Sequence, residues 1–204
     1  NGEHEVTLDL SGARTLEDVM NAINGAGIGA WARIGPDGNR LDIHNRISGT
    51  DLRVSEAGGT LATQLGVRTI RTDTPLSEFN LGRGVGTVNG PDIRFTTADG
   101  TTVEVDLDGA RTLRDVLDRL NADGAVTASL DTHGNGLVVR DNTVGGGTLT
   151  AVAVNHSPAL ADLGLNVVAT GDRLVGDDAH PVRVEGVFTA LLELRDGLLS
   201  DDTR

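Results

Sequence analysis

Apolar and polar positions along the chain fall into short blocks, and two of these blocks repeat each other. Val6-Thr7-Leu8-Asp9-Leu10 alternates with the period of a strand that buries one face. Ser11-Gly12 marks a turn. Beyond it, Leu16, Val19, Met20 and Ile23 recur at i, i+3, i+4 and i+7, the stripe of a helix lying on a core. Thr15 is the expected N-cap, with Asp18 three residues on as a short capping-box partner. From Val103 to Leu117 the same order returns, 97 residues later: Asp108-Gly109 for the turn, Thr112 and Asp115 for the cap. Leu113, Val116, Leu117 and Leu120 form the second stripe.

The correspondence runs further. Ile23-Asn24 matches Leu120-Asn121, Gly27 matches Gly124, and Gly38-Asn39-x-Leu41 matches Gly134-Asn135-x-Leu137 after a one-residue slip. Leu61-Ala62 and Leu65-Gly66 correspond to Leu160-Ala161 and Leu163-Gly164. Two copies are too few for a solenoid, so the chain reads as a duplicated module.

After each helix the pattern predicts a hairpin. In the first copy its strands are 30–34 and 40–47 around Gly35-Pro36-Asp37-Gly38-Asn39. In the second they are 126–131 and 136–141 around Thr132–Asn135. Further strands are expected at 50–55 and 148–155, and short helical turns at 61–65 and 159–163. A hairpin of 93–97 and 102–107 opens the second copy. The first copy lacks the outer strand of that hairpin, which is consistent with a chain that begins inside the element.

These elements predict an α+β fold. Each module is expected to be a mostly antiparallel sheet with one helix packed on it. The first module spans 1–70, a connector 71–86, the second module 87–168, and 169–204 is a linker with the start of a helix. In that last part Val184, Val187, Leu191, Leu194 and Leu198 are spaced 3, 4, 3 and 4 apart, a heptad stripe widened by Phe188, Leu192 and Leu199.

Composition then narrows the chemistry. The 204 residues carry 17 basic and 30 acidic groups, a net charge of −13, and every basic residue is Arg. That charge opposes nucleic-acid and anionic-membrane partners. Without Cys there is no thiolate nucleophile, disulfide or Cys-ligated metal. Without Lys there is no Walker-type phosphate loop or Schiff base. Four aromatic residues are few for a base-stacking platform. No apolar run is long enough to span a membrane.

Candidate chemical residues reduce to structural ones. The histidines at 4, 44, 133, 156 and 180 have no ligand spacing and read as solvated strand or turn residues. Asp131-x-His133-x-Asn135-Gly136 imitates the opening of a calcium loop, but the twelfth position is Asn142, so a hairpin turn is expected. Asp9 and Asp106, with Arg14 and Arg111, recur in both copies and read as turn-stabilising groups. Gly25–Gly29 and Gly82–Gly86 lack the full dinucleotide-loop spacing. No nucleophile–base or metal constellation is visible, so neither catalysis nor a cofactor is expected.

Two stretches look familiar. Leu81–Thr87, Ile93–Gly100 and Val105–Asn121 together resemble the flagellin hook IN motif of flagellar hook-associated proteins and some flagellins, and the first copy is similar from about Val6. Val184–Leu198 is similar to the segment that re-enters the coiled-coil domain in the hook-associated protein 3 and flagellin families. Two motif copies followed by that helix resemble the hook–filament junction family more than the filament cap.

The resemblance implies a non-enzymatic axial subunit, exported without a cleaved signal through the flagellar type III apparatus to the cell exterior. This chain would be its outward-facing variable region. It implies self-assembly, contacts with neighbouring hook and filament proteins, and an export chaperone for the full-length protein. The assembly surface would be Val184, Val187, Phe188, Leu191, Leu194 and Leu198. The alternatives are an extracellular adhesin or calcium-dependent binding module, or a flagellin or cap protein.

Overall fold

The structure is a computed structural model that describes residues 4–47, 50–180, 182–183, 191 and 195. It is α+β. In the first module, α1 (Leu16–Gly25) precedes β1 (Ala30–Ile34), β2 (Leu41–Asn45), β3 (Asp51–Leu52) and the short α2 (Leu61–Gln64). A helical turn, α3 (Phe79–Gly82), leads to the second module. There β4 (Ile93–Thr96) and β5 (Thr102–Val105) form a hairpin ahead of α4 (Leu113–Leu120). β6 (Val126–Leu130), β7 (Leu137–Asp141), β8 (Thr150–Ala153) and α5 (Ala159–Asp162) follow, then β9 (Arg173–Val175) and β10 (Val182–Arg183).

Both long helices start as the pattern requires. The Asp18 N–H donates to Thr15 Oγ1 at 3.1 Å, while Asp18 Oδ2 accepts the Thr15 and Arg14 N–H groups, each at 2.9 Å. Asp115 repeats this with Thr112 and Arg111. The shorter Asp side chain completes the box because it serves two backbone donors at once. Those N–H groups, first Arg14 and Arg111, hold both carboxyls below the usual carboxylate range.

The far ends of the two helices are also tied alike. Asn24 Oδ1 accepts the Ala32 N–H at 2.7 Å and its Nδ2 donates to Ala32 O; Asn121 does the same with Ala128. Each side-chain amide thus imitates a strand partner and locks the helix to the middle of β1 or β6.

The second core is the larger. Leu113, Val116 and Leu120 on α4 are fully buried against Ile93, Phe95, Val126 and Val139. The first core has Val19, Ile23, Ala32 and Leu41 at its centre, with Leu8, Leu10 and Ile43 half-buried around it.

Four expectations change. Residues 6–10 are not a strand: Leu8 and Leu10 turn inward with the predicted alternation, but no ladder forms. The reason is visible in the second copy, where the equivalent β5 pairs with β4.

Next, the second module holds two three-stranded sheets, β5-β4-β8 and β6-β7-β9, rather than one. The glycines at 145–147 swing β8 away from β7. Gly147 N–H donates to Ala98 O at 2.9 Å, and a Cβ on Gly145 would overlap the Ala98 carbonyl.

The expected connector is packed. Its Leu76 and Phe79 are buried in the second core, as is Ile70 at the end of the expected first module. Backbone bonds Leu76 N–H to Arg111 O, Leu113 N–H to Thr74 O and Arg114 N–H to Thr72 O pin the segment beside the start of α4. Its apolar residues follow no period because each enters the core from a turn.

Finally, the chain after Val168 contains strands. β9 pairs antiparallel with β7 and buries Leu174 completely. β10 pairs antiparallel with β3, Val182 opposite Leu52 and Arg183 opposite Asp51. In the second module the strand beside the third strand of the copy, β8, is β4. β10 therefore takes in the first module the place that β4 holds in the second.

Candidate functional site

The two modules are joined around one buried side chain, Arg68. Arg68, in the loop after α2, enters the β6–β7 turn, where it is only 7% exposed. Its Nη2 donates to Asp131 O at 2.8 Å and to Gly134 O, and its Nε donates to Asn135 Oδ1 at 3.4 Å. Asn135 is buried too, and its Nδ2 donates to Thr69 Oγ1 at 2.6 Å and Asp178 Oδ2 at 3.2 Å. Gly58 N–H donates to Thr132 O at 3.2 Å, a second backbone tie across the same junction.

Burial pulls the Arg68 guanidinium below its ordinary value, and Glu56, Asp131 and Asp178 act against that. Guanidinium basicity is high enough that it stays charged. Glu56 is buried at the start of α2 and accepts the Thr63 and Ala62 N–H groups. Burial works to raise its carboxyl, but those donors and Arg68 outweigh it and hold the group below the usual range.

This junction explains the sequence 131–136. The turn that imitates a calcium loop already holds a cation, the Arg68 guanidinium, on its carbonyls. Asp131 Oδ1 accepts the His133 N–H within the turn. The Asn135 amide is used on both sides, so the donor set does not fit a calcium site.

A second feature lies along the outer edge of β2. A groove of 730 Å³ runs there, lined by Leu41 and Ile43 of β2, Leu52 and Val54, and Leu65 and Val67 after α2. Arg40 stands at one end, paired with Asp42 at 2.8 Å and Asp37 at 3.2 Å.

The recurring Asp and Arg residues are structural, as expected. Asp9 Oδ1 accepts the Ser11 N–H and Asp106 Oδ1 the Asp108 N–H. Arg14 and Arg111 contribute their backbone N–H groups to the caps and do not pair with those aspartates. Of the histidines, His180 departs from the solvated reading. It is buried, stacks on Phe79 with ring centroids 5.4 Å apart, and lies 3.1 Å from Glu78 O through Nδ1.

Asp92, Asp106 and Asp108 gather carboxylate oxygens within 4.8 Å of one another. Asp92 is fully buried, and both its oxygens are taken: Oδ1 by Val88 N–H and the Ser157 hydroxyl, Oδ2 by Leu107 N–H. It is an internal staple for the β4–β5 hairpin.

Of the expected assembly residues, Leu191 is helical and 56% exposed. Val184, Val187, Phe188, Leu194 and Leu198 lie outside the described residues. Sequence reasoning missed Arg68, Glu56 and Asn135 as a unit. Asn24 and Asn121 carried a signal, since each directly follows the last stripe residue of its helix.

No protein-family model matches the chain, and neither the curated proteins nor the solved structures include one similar to it.

Proposed function

We propose that this chain is the outward-facing region of a flagellar axial subunit, of the hook–filament junction type, and that its role is structural. The observation that carries the reading is the duplicated Gly-Ala-Arg-Thr-Leu capping segment on two matching α+β units, at Gly12–Leu16 and Gly109–Leu113, followed by the Val184–Leu198 heptad stripe. Supporting it, residues 8–10 and β10 both lie on the first module. Leu8 and Leu10 pack on its core, and β10 pairs with its β3. A region inserted into a longer assembling chain needs its entry and exit close together.

The proposed subunit leaves the cell through the flagellar type III apparatus. It self-assembles through the stripe of Val184, Val187, Phe188, Leu191, Leu194 and Leu198 against hook and filament neighbours. An acidic surface without Cys suits a protein that crosses a narrow export channel unfolded and must remain soluble outside.

The test is assembly in cells making the full-length protein with Leu191→Asp and Leu194→Asp. Export should persist while junctions and motility are lost, and the isolated 204-residue chain should keep its far-ultraviolet spectrum. Normal junctions built by that variant would overturn the reading.

A further inference from the structure

The two copies of the β-hairpin differ in what lies beside them. In the second module the outer edge of β7 is covered by β9. Asp141 N–H donates to Asp172 O and Leu137 O accepts the Gly176 N–H, each at 2.8 Å, with Val139 opposite Leu174. In the first module the equivalents are Asn45, Leu41 and Ile43. Among the described residues, β2 pairs with β1 alone. The bonds Gly35 N–H to Arg40 O and Arg46 N–H to Gly29 O put residues 40, 42, 44 and 46 on the β1 side. Leu41, Ile43 and Asn45 therefore turn their backbone donors and acceptors toward the groove.

The glycines after the two short helices mark the difference. Gly164, φ +71, is so close to the passing chain that a Cβ would overlap the Asp177 carbonyl. Gly66, φ +68, has nothing within 4 Å of the same point. The chain that would return over β2 instead crosses to the second module through Thr72, Thr74 and Leu76. Among the described residues no strand of this chain pairs with that edge, and Val182 of β10 lines the same groove.

We propose that the outer edge of β2 is a receptor for an extended peptide strand of a partner protein. The strand binds antiparallel by β-augmentation, with one large aliphatic side chain opposite Ile43. The occupant's chemistry is read from its counterpart: β9 seats a single leucine, Leu174, fully buried, between exposed flanking residues. Arg40 stands where the second module has Gly136, over which the chain passes too tightly for any side chain. The partner strand must therefore diverge at that end, so its ladder forms on Ile43 and Asn45.

The probe is a synthetic peptide with the sequence of residues 170–177, titrated into the whole isotope-labelled chain. Amide shifts should appear at Leu41, Ile43, Asn45 and Val54, with hydrogen exchange at the Ile43 and Asn45 amides slowed. Replacing the peptide's leucine by Asp, or methylating its backbone nitrogen, should weaken binding at least about tenfold. In the chain, Ile43→Pro removes an outward N–H, which an edge strand tolerates, together with a half-buried side chain, and should abolish binding. If that variant does not fold, the methylated peptide on the unaltered chain gives the same answer. No shifts at about 1 mM peptide would overturn the proposal. So would shifts confined to β7 and β9, or an Ile43 amide already protected in the free chain and released on dilution, which would make the occupant a second copy.

Discussion

Arg68→Ala removes the side chain that joins the modules, and its cost can be worked from the contacts. The guanidinium serves two backbone carbonyls and the Asn135 amide oxygen, all in the buried junction. Hydrogen bonds to a charged group contribute about 1.5–3 kcal/mol each, and water entering the vacated space recovers part of that. Glu56 also loses the nearest positive charge. The expected loss is about 3–5 kcal/mol, three such bonds less what water restores. With a urea slope of about 2 kcal/mol per molar, the midpoint falls by about 1.5–2.5 M. Trp31, the only tryptophan, lies on β1 and reports the first module, while far-ultraviolet dichroism sums the helices and strands of both. In the parent chain the two transitions should coincide; in Arg68→Ala the Trp31 transition should move down and separate. Arg68→Met, which fills the space without donors, should behave like Ala. A midpoint change below about 0.3 M with coincident transitions would refute the clasp.

Other outcomes follow from the same contacts. Thr15→Ala and Thr112→Ala should each cost about 1 kcal/mol, the first in the Trp31 transition and the second in the dichroism transition. Leu174→Ala should cost about 3 kcal/mol in the dichroism transition, because it empties a fully buried position. Gly66→Ala should cost about 1–2 kcal/mol for its left-handed backbone, and Gly164→Ala distinctly more because its Cβ has no room, as paired urea titrations would read. Glu56 and Asp141 are buried and held below the usual carboxylate range despite their burial, Asp141 by the Thr143 and Ala98 N–H groups. Their contribution is therefore present above the unfolded value, about 4, and is lost as pH falls through the lower folded values. Urea midpoints should match at pH 7 and 5.5 and fall below about pH 4; a decline that begins near pH 6.5 would point to histidine instead.

Elements with a period were readable from the sequence, because burial of one helix or strand face imposes the period. That covers both capped helices and the β1–β2, β4–β5 and β6–β7 hairpins. Leu76 and Phe79 were not readable as core residues, since each is buried from an irregular turn with no neighbour in phase. β9 and β10 were missed because strands of three and two residues carry too little alternation to register. Arg68 was missed for a different reason. Its partners are backbone carbonyls 63 and 66 residues away, and carbonyls leave no mark on a sequence. Asp131 and Asn135 did stand out, but as the opening of a calcium-loop pattern and not as the seat of a guanidinium.

The placement of β10 bears on how load passes through the molecule. The chain enters the first module at Leu8–Leu10 and leaves it at Val182–Arg183. A pull between those points runs across the first core and the β3–β10 ladder, and the second module stays outside the path. Were the ends anchored as the proposed insertion requires, drag on the second module would reach them through the first module and its junction at Arg68. While that ladder holds, the second module's larger core is shielded from tension, and the smaller first module acts as the mechanical fuse. Its two-residue β10 ladder is the contact expected to part first under force.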